Sequence, residues 1–176
     1  MVDAVARMLA QVDSHAQRPP IHLWNPELSG DIDINIDVDG HWFHENTRIE
    51  REKLVQLFAS ILRYESGIGF VLVTPVEKWR IRVDDAPFVV IAMSVRAGES
   101  GPAIWFASNV GEEVCLDLER PLVLEGEGEN IRPYVEIRDG LRAKLARPVY
   151  YELAAMAQQR GNGFGVMSCG EFFLLS

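Results

Sequence analysis

A chain of 176 residues that is 48% hydrophobic and 24% charged carries enough apolar material for one domain or two small ones with a real core, which excludes intrinsic disorder. Its formal net charge of -9 argues against a nucleic-acid partner held by counterion release and against docking on an anionic membrane surface, both of which need a basic face, though it leaves room for a local basic patch. With only Cys115 and Cys169, no leader-like apolar run and an N-terminus broken by Asp3 and Arg7, the expected setting is reduced and cytoplasmic.

Val5, Met8, Leu9 and Val12 recur at helical spacing and predict a first amphipathic helix of about three turns that stops near Ser14. Pro19-Pro20 forbids continuation, and residues 21–30 read as an irregular lead-in. Within it, Trp24 has two readings, a packing anchor or a ring that stacks on a ligand, of which packing is the plainer. Residues 31–40 then alternate strictly. Ile32, Ile34, Ile36 and Val38 share one side and Asp31, Asp33, Asn35, Asp37 and Asp39 the other, which predicts a half-buried strand ending in an Asp39-Gly40 hairpin turn.

Residues 41–45 return as a second strand, and Thr47-x-x-Glu50 has the form of a capping box that opens a helix. Leu54, Leu57, Phe58, Ile61 and Leu62 form the helix's apolar stripe, and Gly67 and Gly69 are its expected end. Residues 70–73 read as a buried strand stopped by Thr74-Pro75. Further strands are expected at 78–84, 88–96, 103–108, 113–117 and 122–125, with connections too short for crossover helices, so antiparallel pairing is predicted there.

Tyr134 begins a weaker echo of the first stretch: a strand, the turn Asp139-Gly140 and a strand over 141–145. Pro148 suits a first helical turn, with Tyr150, Leu153, Ala154 and Ala157 as the buried face and Gly161 as the stop. Residues 164–168 and 172–175 make a closing hairpin. The repeated order of strand, Asp-Gly turn, strand, helix, glycine stop and strand predicts an α+β fold. Two β-rich halves related by internal duplication, residues 1–83 and 84–176, would each pack a helix on an antiparallel sheet, the second being a curled sheet closed by its helix.

Five stretches then add a resemblance: Gly30-Asp-Ile-Asp-Ile-Asn-Ile-Asp-Val-Asp-Gly40, Leu54-Val-Gln-Leu-Phe-Ala-Ser-Ile-Leu-Arg63, Leu72-Val-Thr-Pro-Val-Glu-Lys-Trp-Arg-Ile81, Val83-Asp-Asp-Ala-Pro-Phe88 and Pro133-Tyr-Val-Glu-Ile-Arg138. On these the chain resembles a bacterial family, domain-of-unknown-function family 1285. The resemblance implies a duplicated core, a C-terminal half superficially like a pleckstrin-homology domain, a small-molecule site for a nucleotide-like ligand between the halves, and a link to signalling. It brings no activity with it.

The residues themselves point away from catalysis and metals. Asn35-x-Asp37-x-Asp39-Gly40 imitates the start of a calcium loop, but its twelfth position is Asn46 and its flanks alternate with period two. His41 and His44 lie three apart on a strand and point to opposite faces. All four His precede residue 45, neither Cys has a basic sequence neighbour, and no nucleophile-elbow motif occurs. Gly161-Asn-Gly-Phe-Gly165 follows a helix, the reverse of a phosphate loop. No catalytic residue, metal or cofactor is therefore expected.

What survives is Lys78, Arg80 and Arg82 on one face of a strand, three cations that need anions nearby. Either the Asp31 to Asp39 stripe or a ligand phosphate or carboxylate can supply them. Asp84 and Asp85 break the strand at the junction of the halves and, with Trp24, complete the candidate ligand-binding set. The leading expectation is a non-enzymatic small-molecule-binding or regulatory module whose cleft between the two halves holds a small anionic, nucleotide-like ligand. The alternative is a protein-interaction scaffold domain that uses a sheet edge or its pleckstrin-like surface to hold a protein partner.

Overall fold

The structure is a computed structural model that describes residues 2–12 and 18–175. It divides into two compact units, the first ending at Asp85 and the second beginning at Ala86. No helix among the described residues is long and apolar enough to cross a membrane.

In the first unit, α1 (Val2–Gln11) buries Ala4 and Met8, with Val12 just beyond it, along one narrow stripe. The expected stop near Ser14 lies outside the described residues. A single 3-10 turn, Ile21–Leu23, leads to β1 (Leu28–Ile36), β2 (Trp42–His44), β3 (Thr47–Arg48), α2 (Glu52–Ser60), β4 (Leu62–Glu65), β5 (Gly69–Val73) and β6 (Lys78–Val83). The strands form one six-stranded sheet in the order β3-β2-β1-β6-β5-β4. Ile32, Ile34 and Ile36 are buried as their alternation requires, and Trp42 from β2 stacks on Phe58 of α2 with ring centroids 6.1 Å apart. That contact seats the helix on the sheet's apolar face.

Three expectations for this unit change. Val38 is 50% exposed, because β1 ends at Ile36 and Asp37 starts a turn closed by the Gly40 N–H donating to the Asp37 carbonyl. The Thr47-x-x-Glu50 box caps nothing: Thr47 pairs with His44 in β3, across a turn in which Glu45 and Asn46 both have positive φ. The helix instead starts after Arg51 with Glu52 in its first turn. Leu62 lies beyond that helix, which ends well before Gly67, in the unexpected strand β4 opposite Leu72. Its apolar stripe continues into the sheet because Ile61 and Leu62 are both buried there.

The second unit holds β7 (Phe88–Gly98), β8 (Gly101–Ser108), β9 (Glu113–Cys115), β10 (Leu122–Glu125), β11 (Arg132–Arg138), β12 (Leu141–Leu145), α3 (Arg147–Ala155), β13 (Gln158–Arg160), β14 (Gly163–Ser168) and β15 (Glu171–Leu174). A six-stranded sheet has the order β10-β11-β12-β7-β8-β9, and β13-β14-β15 form a separate three-stranded sheet. Phe88, Ile104, Phe106, Tyr134 and Leu141 lie in its core, and α3 buries Val149 and Leu153. Ala154 is exposed, and Gly161 is not the helix stop. The helix ends at Ala155, and Gly161, at φ +62, turns β13 into β14.

The two six-stranded sheets share one plan, which carries the duplication. Each is built from two three-stranded meanders joined at the centre by a parallel pair, β1 with β6 and β12 with β7. In each the first strand of the first meander lies beside the last strand of the second. Both sheets are thus mostly antiparallel with one parallel seam. The frame differs from that of the sequence echo: β1, which leads into Asp39-Gly40, corresponds to β7, whereas Asp139-Gly140 leads into β12, the counterpart of β6. The helix falls between the meanders in the first unit and after them in the second.

Candidate functional site

The parallel seam of the first unit places the acidic stripe of β1 against the cationic stripe of β6, with Asp31 opposite Arg80 and Asn35 opposite Arg82. Each cation then meets a different fate. Lys78 is buried, and its Nζ donates to Glu65 Oε2 at 2.9 Å and Oε1 at 3.3 Å. Glu65 also accepts from Arg63, whose Nη1 donates to the carbonyls of Ile21 and Trp24 at 2.7 Å each. Burial pushes the Glu65 carboxyl up, but the hydrogen bonds and charges of Lys78 and Arg63 outweigh it and hold the group below the usual range.

Arg80 forks onto Asp31, Nε to Oδ1 at 2.5 Å and Nη2 to Oδ2 at 3.0 Å, and this pairing lowers the Asp31 pKa. Arg82 donates through Nε to Asn35 Oδ1 at 3.1 Å and lies 3.9 Å from Asp84, which accepts from Asn35 Nδ2 at 3.4 Å. Its two terminal nitrogens have no hydrogen-bond partner among the described residues. Protein carboxylates therefore satisfy Lys78 and Arg80, and leave the outer edge of the Arg82 fork uncommitted.

Beside Arg82 the seam is irregular. From Asp31 to Asn35 the β1 chain advances past three residues while β6, from Arg80 to Arg82, passes one. A cavity of about 280 Å³ opens at this place, lined by Asp33, Asn35, Asp37, Phe43, Asn46 and Arg82. The register explains the lining, because Asn35 faces Phe43 on β2 and Arg82 on β6, a row of three side chains across adjacent strands. Asn46 arrives from the turn between β2 and β3, at φ +62.

Asp37 is fixed by its own turn: Oδ1 accepts from the N–H groups of Asp39 and His41 at 2.9 Å each, and Oδ2 lies 3.3 Å from His41 Nδ1. Burial pushes this carboxyl up, yet those bonds hold it below its ordinary value. Ligand atoms of Asp37, Asp39 and His41 come within 4.8 Å of one another, and the turn already engages both Asp37 oxygens. Among the expected ligand residues, Arg82 lines the cavity and Asp84 braces it through Asn35. Lys78, Arg80, Asp85 and Trp24 do not line it. Trp24 is half-buried and contributes its carbonyl to Arg63.

Phe43 and Asn46 line the cavity but lie outside the ligand-binding set expected from the sequence. Phe43 carried a signal, an aromatic on the same face as the acidic stripe, while Asn46 carried only the tolerance of Asn for positive φ.

This geometry lies within residues 19–86, which match the model described as "Domain of unknown function (DUF1285), N-terminal domain"; residues 87–175 match "Protein of unknown function (DUF1285), C-terminal domain". The chain belongs to the DUF1285 family. The crystal structure of a DUF1285 family protein from Silicibacter pomeroyi DSS-3 is 38% identical, with a TM-score of 0.87 over 97% of this chain and 93% of that one. The crystal structure of a DUF1285 family protein from Shewanella baltica OS155 is 27% identical, with a TM-score of 0.55 over 69% of this chain and 89% of that one. No curated protein is significantly similar to the chain. The boundary between the two DUF1285 domains falls within one residue of the division between the compact units.

Proposed function

We propose that this DUF1285 protein is a non-enzymatic small-molecule-binding or regulatory module whose ligand occupies the polar cavity of the first unit and docks an anionic group on Arg82. The observation that carries the reading is the uncommitted fork of Arg82 beside a cavity, when the cations on the same strand are already matched by Asp31 and Glu65. A guanidinium offers two parallel donors to a phosphate or carboxylate. The two carboxylates of Asp33 and Asp37 repel a polyanion, so the ligand carries one anionic group and presents hydroxyl or amino donors elsewhere. Phe43 supplies a ring face for an apolar or planar portion. A nucleoside monophosphate meets all three requirements, with a signalling role in a reduced cytoplasm as its biological setting.

The test is a thermal-shift screen of wild type and Arg82→Ala against nucleoside monophosphates and small carboxylates, because a ligand that binds only the folded state raises the melting temperature. A saturable rise in wild type that Arg82→Ala loses is the expected result; a rise of equal size in both proteins removes Arg82 from the site. The second reading, a protein-interaction scaffold with no small ligand, draws on Ile91 and Val95, which are 58% and 47% exposed on β7. A screen with no hit in either protein favours it.

A further inference from the structure

Outside the cavity, the strongest juxtaposition of reactive groups lies in the second unit. Cys115 ends β9, Cys169 sits in the turn between β14 and β15, and their Sγ atoms are 3.3 Å apart across 54 residues of chain. Both are free thiols and both are half-buried.

The surrounding backbone holds them in place. The N–H of Cys169 donates to the Pro102 carbonyl at 2.9 Å. Ser168, fully buried, donates its hydroxyl to the Leu116 carbonyl at 2.6 Å and accepts from the Ile104 N–H at 2.9 Å, so one side chain ties β14 to β8 and to the residue after Cys115. The turn itself is unusual. Cys169 and Gly170 have φ +52 and +81, and the first position of such a turn ordinarily takes Asn, Asp or Gly. A cysteine held there in a left-handed conformation places its sulfur against Cys115 at a backbone cost that a plain turn residue would avoid.

We propose that Cys115 and Cys169 form a redox-linkable dithiol site that takes up an intramolecular disulfide by exchange with a small-molecule disulfide, clamping the β14–β15 turn to the edge strand β9. A disulfide needs sulfurs about 2 Å apart, so closure asks for roughly 1.3 Å of movement, which side-chain torsions supply while the hydrogen-bonded backbone stays in place. Burial, and then the neighbouring Cys169, push the Cys115 thiol up to about 11, so the two adjacent thiols lose their protons in separate steps as a pair. One of the two thiols, as thiolate, attacks one sulfur of the small disulfide, forming a mixed disulfide and releasing one small thiol. The other then gives up its proton to solvent and attacks the protein sulfur of the mixed disulfide, 3.3 Å away before closure, expelling the second small thiol. Two protein thiols and one small disulfide become one protein disulfide and two small thiols. The bridge then cross-links residues 54 positions apart.

The experiment equilibrates the full chain in buffers of graded oxidised-to-reduced glutathione ratio. Intact mass, free-thiol titration and melting temperature are then read for wild type, Cys169→Ser and Cys115→Ser. The expected wild-type result is loss of the mass of two hydrogens, loss of both titratable thiols, and a melting temperature raised by at least about 5 °C and restored by reductant. Each serine variant should retain a thiol, or carry a glutathione adduct, without that rise. Wild type that keeps two titratable thiols, accumulates glutathione adducts without closing the bridge, or forms intermolecular dimers overturns the proposal. Because the wild-type readouts alone decide this, a serine variant that fails to fold leaves the test intact.

Discussion

Removing Glu65 tests the assignment of Lys78 most severely. The Lys78 side chain is 6% exposed, Arg63 is 18% exposed, and the one carboxylate that serves both is 19% exposed. Glu65→Ala leaves Lys78 charged and shut away from water with no partner carboxylate, while Arg63 keeps its bonds to the Ile21 and Trp24 carbonyls. Breaking a buried pair on one side costs about 3 to 5 kcal/mol, and the residual solvent contact of Glu65 puts the expectation at the low end, about 3 kcal/mol. Lys78→Met removes the charge and keeps an unbranched apolar stem, so it should cost only about 1 kcal/mol, most of it from leaving Glu65 with a single cation. Urea denaturation followed by far-UV circular dichroism reads both values, with the slope against denaturant unchanged.

The pH dependence carries a definite sign. The Glu65 pKa is lowered from its ordinary 4.5, so the stabilisation is present above about pH 4.5 and is lost as pH falls through the folded-state value. The gap between wild type and Glu65→Gln should therefore narrow in acid. A Glu65→Ala cost below about 1 kcal/mol, or a Lys78→Met cost as large as that of Glu65→Ala, would refute the assignment of Lys78 to a structural ion pair.

Two other perturbations probe the Asp37 turn and the β14–β15 hairpin. Millimolar calcium should leave the melting temperature unchanged, since Asp37 is engaged by its own turn and Asn46 stands where a bidentate acid is needed; a saturable rise in a calcium titration contradicts this. Gly165→Ala should destabilise the second unit by about 3 kcal/mol or prevent its folding, because a Cβ there collides with the Phe173 carbonyl oxygen and comes within 2.7 Å of Phe172 Cζ. A urea midpoint equal to that of wild type would disprove the β14–β15 register.

Local patterning made the faces of the strands legible, and long-range pairing decided what those faces do. Period-two alternation found the buried side of β1 from Ile32, Ile34 and Ile36, since a strand's two faces follow from the residue sequence alone. The same logic overran at Val38, because a turn began one residue after Ile36. Thr47 and Glu50 have the spacing of a capping box, yet Glu45 and Asn46 close a hairpin first and draw Thr47 into β3. The seam between β1 and β6 joins residues about fifty apart in sequence, and no local pattern encodes a parallel pairing of that kind.

The candidate site shows the same division. The opposition of acidic and cationic stripes was readable as an alternative to ligand binding, and Arg80 with Asp31 realises it. The separate fates of Lys78 and Arg82 were not readable, because Glu65 reaches Lys78 from β4, a strand whose residues looked helical, and the cavity beside Arg82 depends on a register shift. Asn35 passes the contact on to Asp84, which the sequence had placed in the candidate set for its position at the end of the strand.

On the proposed reading Arg82, alone among the cations of β6, is held ready for a ligand anion. Calorimetric titration of wild type, Arg82→Ala and Arg80→Ala with the best nucleoside monophosphate or carboxylate from the screen, at low and moderate salt, tests it most directly. Arg82→Ala should weaken binding at least about tenfold and flatten its salt dependence, while Arg80→Ala, whose fork is committed to Asp31, should stay within about twofold of wild type. Equal affinities for wild type and Arg82→Ala, or a loss confined to Arg80→Ala, would contradict it.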